Sequence, residues 1–189
     1  ARARDGFDDD IVGGRGNDVL VGGSGSNVIF GNKGNDHIEG RDSDDRLVGG
    51  SGDDLIEAGA GDDAILGDEG NDIIYAGAGD DQIDGGSDKD IIIAGSGDDI
   101  ITAGSGDDVI YGDEGDDQIS AGDGDDVLTG GAGADVLIGE AGRDRIYGGE
   151  NADQLFGEVG DDILIAGSGN DNVRACLLYT SPSPRDAES

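Results

Sequence analysis

The chain has 189 residues, of which 45 are Asp or Glu and only 11 are Lys or Arg, so its formal net charge at pH 7 is -34. Glycine contributes 40 residues and aromatic side chains only 4%. Such chains usually stay disordered unless something neutralises their charge. Nucleic acid is excluded as a partner because its phosphates would be repelled, and no stretch approaches the roughly 20 apolar residues of a transmembrane segment. The excess of acidic residues instead predicts that the chain binds cations.

The N-terminal residues 1–12 are expected to be a degraded first repeat at a truncated N-terminus. They lack an initiator Met and show no charged-then-apolar signal pattern. Residues 4–12 follow the nine-residue pattern of the chain downstream, except that Phe7 stands where that pattern has Gly.

The next segment, residues 13–174, consists of eighteen nonapeptides without an insertion or deletion, beginning with "GGRGNDVLV". Position eight is aliphatic in every unit, and position six is Asp except at Asn27. Position four is Gly except at Ser43, Asp88 and Asn151. Such strict phasing predicts a solenoid in which each unit occupies an equivalent place.

Each unit divides into a strand and a turn. Positions seven to nine predict a strand of three residues with the side chain of position eight pointing inward. Positions one to six predict a sharp turn, in which Gly supplies positive φ angles and leaves backbone carbonyls uncovered. Two units make an eighteen-residue coil, so stacked coils predict an all-β parallel β-roll with two short-stranded parallel sheets over an aliphatic core.

The turns predict calcium sites. The Asp at position six and the bare carbonyls are hard oxygen donors, and Ca²⁺ accepts six to eight of them in irregular geometry, whereas Mg²⁺ demands a smaller octahedron. Zinc favours His or Cys ligands, of which the repeats hold one His and no Cys. Without counter-ions the stacked carboxylates would repel one another, so we expect folding to require the ion.

The units "GGRGNDVLV", "GGSGDDLIE" and "GNKGNDHIE" resemble the pattern G-G-x-G-x-D-x-U-x of the hemolysin-type calcium-binding repeats known as RTX repeats, where U is a large aliphatic residue. This resemblance covers about nine tenths of the chain. It implies a right-handed parallel β-roll with Ca²⁺ bound between turns, in bacterial proteins that are exported unfolded by type I secretion and fold outside the cell.

The resemblance also implies that the aspartates at position six are the metal ligands. They are Asp18, Asp36, Asp45, Asp54, Asp63, Asp72, Asp81, Asp90, Asp99, Asp108, Asp117, Asp126, Asp135, Asp144, Asp153, Asp162 and Asp171. Alternate pairing of the turns allows up to about sixteen Ca²⁺ ions. Sites that share the turn of Asn27 are expected to be weaker, and Ser43, Asp88 and Asn151 are expected to distort their turns.

Two functions from different classes remain open. The first is a calcium-binding module of a secreted bacterial RTX protein, disordered without calcium and folded by extracellular Ca²⁺. The alternative is the C-terminal secretion and folding segment of an RTX enzyme, such as a protease or lipase, or of an adhesin. This segment carries no catalytic motif, and a regular outward row of Thr, typical of an ice-binding roll, is missing from its sequence.

Outward-facing positions suggest one docking surface. An apolar ladder that includes Tyr75, Ile93, Tyr111 and Tyr147 is expected either to dock a neighbouring domain or second roll, or to reflect ordinary β-propensity. His37 also lies at an outward position and is expected to be solvated.

The last segment, residues 175–189, breaks the period and is expected to be a non-native or disordered tail. Within it, "CLLYTSPSPRD" at 176–186 resembles the translation of a sequencing adapter and holds the one Cys of the chain, Cys176.

Overall fold

The computed structural model describes residues 7–175, which form nineteen β-strands and no helix. The first six residues and residues 176–189, which are all of the predicted tail at 175–189 except its first residue, lie outside the described residues. Successive strands alternate between two sheets, so that each sheet receives every second nonapeptide. This alternation is what an eighteen-residue coil predicts.

One sheet has ten strands and the other has nine. The ten-stranded sheet contains, in spatial order, β1 (Asp10–Arg15), β3 (Val28–Lys33), β5 (Arg46–Ser51), β7 (Ala64–Glu69), β9 (Gln82–Ser87), β11 (Ile100–Ser105), β13 (Gln118–Asp123), β15 (Val136–Ala141), β17 (Gln154–Phe156) and β19 (Asn172–Arg174). The nine-stranded sheet contains β2 (Val19–Gly23), β4 (His37–Asp42), β6 (Leu55–Ala60), β8 (Ile73–Ala78), β10 (Ile91–Ser96), β12 (Val109–Glu114), β14 (Val127–Ala132), β16 (Arg145–Glu150) and β18 (Ile163–Ser168).

All neighbouring strands are parallel, and their register is the coil length of eighteen residues. In the nine-stranded sheet, Ile92 pairs with Ile74 on one side and with Ile110 on the other. Each residue therefore lies beside its own equivalent in the next coil. The prediction of an all-β parallel β-roll with two parallel sheets is confirmed.

The strands are longer than the sequence predicts. Most have six residues, because each strand continues into the following unit. Pairing is interrupted at position one and resumes at positions two and three, where Gly95 pairs with Gly77 and Ser96 with Ala78. Parallel pairing depends on the backbone, so small residues after the aliphatic triplet do not end it.

The core contains the aliphatic residues of position eight, which stack in one column on each sheet; Ile74, Ile92 and Leu128 on the nine-stranded sheet are fully buried. Position one also faces the core, where Ala76 and Ala94 are fully buried. The sequence predicts one inward side chain per unit, whereas the structure has two where position one is Ala. Space at position one is limited, since a Cβ built on Gly130 would lie 2.7 Å from the carbonyl oxygen of Gly148 in the next coil.

Positions two and four both have positive φ in most units, and position four is the one at which Gly is replaced three times within the eighteen nonapeptides. Gly97 has a φ of 130°, and a Cβ there would collide with the carbonyl oxygen of Gly79 in the coil before. The residues that replace Gly at this position, Ser43, Asp88 and Asn151, have φ angles of 72°, 77° and 75°. None of the three makes the N–H hydrogen bond to the next coil that Gly97 donates to Glu114 at 2.9 Å. The altered backbone agrees with the distortion expected in these turns.

The predicted apolar ladder lies on the outer face of the nine-stranded sheet. Ile93 on β10 is paired with Tyr75 on β8 and with Tyr111 on β12, and Tyr147 follows two strands further on. Tyr75 and Tyr111 are exposed. That a neighbouring domain or second roll docks there stays a prediction.

We predict that Ile92→Ala destabilises the roll by about 2–5 kcal/mol, the usual cost of truncating a fully buried Ile. Ile91→Ala is the matched control, because the adjacent Ile91 is only half-buried on the outer face. It should cost clearly less. Urea unfolding in calcium-containing buffer, followed by circular dichroism, measures both changes, and equal losses would contradict the assignment of the two faces.

Candidate metal centre

The position-six residues stack in two columns. Within a column, aspartates eighteen residues apart are joined by a hydrogen bond from the backbone N–H of one to the side chain of the next. The N–H of Asp72 donates to Oδ1 of Asp90 at 2.8 Å, and the N–H of Asp90 donates to Oδ1 of Asp108 at 2.7 Å. Each carboxylate thus receives a hydrogen bond from the coil before it. The same bond is repeated along both columns.

These aspartates are inside the protein. Fourteen of them have side chains at most 3% exposed. They are Asp36, Asp45, Asp54, Asp63, Asp72, Asp81, Asp90, Asp99, Asp108, Asp117, Asp126, Asp135, Asp144 and Asp153. Asp18, Asp162 and Asp171 are half-buried.

The second carboxylate oxygen, Oδ2, is buried without a hydrogen-bond partner in fifteen of the described aspartates, those at 36–162 in steps of nine. Leaving a buried polar atom unsatisfied costs about 1–3 kcal/mol, and more for a charged group. A column of such atoms needs either protons or cations. A cation bound to these Oδ2 atoms would supply the partner that they lack.

Asn27 shows which groups face that second oxygen. Its Oδ1 accepts the N–H of Asp9, so its Nδ2 takes the place that Oδ2 has in the other units. This Nδ2 donates to the carbonyl oxygen of Gly25 at 2.5 Å and to Oδ1 of Asp45 at 3.0 Å.

The equivalence of the two atoms is supported by the glycine at position one. A Cβ built on Gly22 would press against Asn27 Nδ2 and the Gly40 carbonyl, as one on Gly31 would press against Asp36 Oδ2 and the Gly49 carbonyl. By this equivalence, we infer that in the Asp units Oδ2 takes the place of the donor and faces a position-four carbonyl and a carboxylate of the next coil. Such a set of oxygen atoms from two successive coils would suit a hard dication.

Burial without a partner alters the acidity of these groups. Desolvation, reinforced by neighbouring carboxylates and opposed by the backbone hydrogen bond, raises the pKa of Asp54, Asp81, Asp90, Asp117 and Asp126 to about 7. The same causes raise the pKa of Asp63, Asp72, Asp99 and Asp135 to about 6. A bound cation would offset this electrostatic cost.

A second set of side chains, at position five, was missed by the sequence analysis. Oδ1 of Asp98 accepts the N–H of Asp116 in the next coil at 2.8 Å, and Oδ1 of Asp53 accepts the N–H of Asn71 at 3.0 Å. These exposed groups bond in the opposite direction from those at position six, so each pair of coils is linked both ways. The frequent Asp or Asn at position five was the signal that could have found them.

Basic residues at position five change the ladder locally. The guanidinium of Arg143 pairs with Asp125, whose Oδ1 also accepts the Arg143 N–H at 3.0 Å. These contacts lower the pKa of the Asp125 carboxyl. Arg143 therefore places positive charge in the position-five ladder.

The two parallel sheets and the buried carboxylate columns between their turns define an acid-lined β-roll. The profile of the RTX calcium-binding nonapeptide repeat, in units of four copies, matches ten overlapping segments that together run from residue 5 to residue 173. The chain therefore belongs to the family of RTX calcium-binding repeats, which bind Ca²⁺ and serve as structural modules.

No curated protein sequence matches the chain. Among the described residues, no helix is long and apolar enough to cross a membrane.

We predict that acid partly replaces calcium in holding the roll together. Because the pKa values of the buried aspartates lie above the ordinary value of about 4, the calcium-free folded chain binds more protons than the unfolded chain. Its stability is therefore greatest below about pH 4 and falls as the pH rises towards about 7. In EDTA, circular dichroism should detect more strand at pH 4.5 than at pH 7.5.

Sedimentation at both pH values controls for acid aggregation. An identical disordered spectrum in monodisperse samples at both values would contradict this linkage.

Proposed function

We propose that this chain is the calcium-binding module of a secreted bacterial RTX protein, disordered at low Ca²⁺ and folded by extracellular Ca²⁺ after type I secretion. The observation that carries the proposal is the repeated buried Oδ2 atom without a partner. One such atom lowers the folding stability only slightly, but two columns of them would make the calcium-free roll unstable at neutral pH.

We propose the position-six aspartates as the side-chain ligands, from Asp18 to Asp171 in steps of nine with the exception of Asn27. In each site, Oδ2 of one coil, the position-four carbonyl of the same turn and the carboxylate of the next coil would hold the ion. Ca²⁺ fits this all-oxygen set of donors. Alternate turns allow up to about sixteen ions, whose charge would offset most of the formal -34.

Calcium would then act through the stacking of coils. The ion supplies positive charge between carboxylates that otherwise repel one another, and each ordered coil presents half of the next site. In a repeat protein whose units contact only their neighbours, this coupling makes assembly cooperative. Extracellular calcium modules bind at about 10⁻⁴ to 10⁻³ M, so the roll would stay unfolded in the cytosol and fold outside.

The same roll would serve as the folding and secretion segment of an RTX protease, lipase or adhesin, because its role in each is to order the chain after export. The apolar ladder on the nine-stranded sheet is where a neighbouring domain would then dock.

We predict a steep coil-to-strand transition when Ca²⁺ is added to the chain at pH 7.5, with a midpoint of about 0.1–1 mM. Far-ultraviolet circular dichroism follows the transition. Mg²⁺ at the same concentrations is the control, and it should produce no transition because its smaller octahedral shell does not suit the site. A chain that stays disordered at 10 mM Ca²⁺, or that responds equally to Mg²⁺, would refute the proposal.

We predict that Asp99→Asn lowers the number of bound Ca²⁺ ions by one or two, while Asp98→Asn leaves it unchanged. Both changes remove one charge and keep an Oδ1 acceptor, which Asp99 uses for the Asp81 N–H and Asp98 for the Asp116 N–H. Only Asp99 has the buried free Oδ2. Equilibrium dialysis with ⁴⁵Ca²⁺ gives the stoichiometry, and equal losses in both variants would argue for general charge neutralisation instead of defined sites.

A further inference from the structure

Three ligand-type side chains meet on the outer face of the nine-stranded sheet, away from the carboxylate columns. His37 and Glu39 are at positions seven and nine of their nonapeptide and lie on β4, and Glu57 is at position nine of its own nonapeptide and lies on the neighbouring β6. Register places Glu39 directly opposite Glu57. Like charges in directly opposite positions destabilise a sheet unless something lies between them.

His37 supplies the group that lies between them. Its Nε2 is 2.9 Å from Glu57 Oε2 and 4.0 Å from Glu39 Oε1. One donor atom from each of the three residues lies within 4.8 Å of the others. Sequence analysis expects a solvated histidine here, but the eighteen-residue register gives this imidazole two carboxylate neighbours.

Glu39 is also oriented by a fourth residue. Arg41 donates from Nε and Nη2 to Glu39 Oε2 at 3.3 and 3.2 Å. The other oxygen, Oε1, is left facing His37. Outer partners that fix a ligating carboxylate in this way are typical of metal sites.

We propose that His37, Glu39 and Glu57 form a site for a transition-metal dication of the zinc class, separate from the calcium columns. An imidazole nitrogen favours zinc-class ions over Ca²⁺ and Mg²⁺, which prefer oxygen ligands alone. Three protein ligands leave one position of a tetrahedral ion open to water. The side chains are 30–51% exposed, so an ion can reach them from solvent.

The ion would tie β4 to β6 on the outer face. These strands belong to successive coils, which the calcium columns link only at the turns. A zinc-class ion here would therefore stabilise the stack independently of calcium, by an amount set by its affinity and concentration. Without the metal, the same residues make a hydrogen bond between His37 and Glu57, and the experiment must separate the two cases.

The test is a Zn²⁺ titration of the full chain in saturating Ca²⁺, carried out in a Cys176→Ser background to remove the one thiol. His37 is the one histidine of the sequence, so ¹⁵N-labelled histidine gives signals from this site alone. We expect the imidazole nitrogens to shift on adding one equivalent of Zn²⁺, and calorimetry to detect one site above any weak background. Circular dichroism in Ca²⁺ verifies that each variant is folded.

His37→Gln and Glu57→Gln should each weaken Zn²⁺ binding by about tenfold or more. Glu114→Gln is the matched control, since Glu114 is an exposed carboxylate on β12 outside the cluster, and its affinity should equal that of the parent. Unshifted imidazole signals, or Zn²⁺ binding that is insensitive to His37→Gln, would overturn the proposal and leave a simple His37–Glu57 hydrogen bond.

Discussion

The structure depends on one carboxylate that bridges two coils. At position six, Oδ1 of each Asp accepts a backbone N–H from the coil before, as Asp90 does from Asp72 at 2.8 Å. Oδ2 is buried beside it without a partner. The first contact sets the spacing and register of the coils, and the second creates a demand for positive charge at fifteen of the described turns. In the proposed calcium sites, the side chain that stacks the coils is therefore also the one that would hold the cation.

The rest of the roll follows from that bridge. The core consists of the aliphatic residues at position eight and of Gly or Ala at position one, such as Ala94, so it buries little apolar surface for its length. Position five adds a ladder in the opposite direction, through residues such as Asp98. The two ladders fix each turn between its neighbours above and below. Small residues and acids thus replace the large hydrophobic core of an ordinary domain.

Departures from the repeat reveal what each position does. Asn27 puts a donor where the other units have Oδ2, and it bonds to Gly25 and Asp45. That turn therefore satisfies internally the oxygens that a cation would hold elsewhere, which is consistent with a weak site there. Ser43, Asp88 and Asn151 accept positive φ at position four. They lose one hydrogen bond to the next coil, yet the strands that follow them, β5, β10 and β17, keep the eighteen-residue register.

The sequence by itself determined the period, the parallel coils, the inward column at position eight and the acid columns at position six. These follow from phase alone, because an unbroken nine-residue repeat places equivalent residues in equivalent surroundings. Only the tertiary structure decided that strands such as β10 extend over six residues and that Ala94 joins the core. It also decided which oxygen of Asp90 is bonded, that Asp98 links the next coil, and that His37 contacts Glu57. These features depend on rotamers and on contacts between coils, and a pattern along the chain does not specify either.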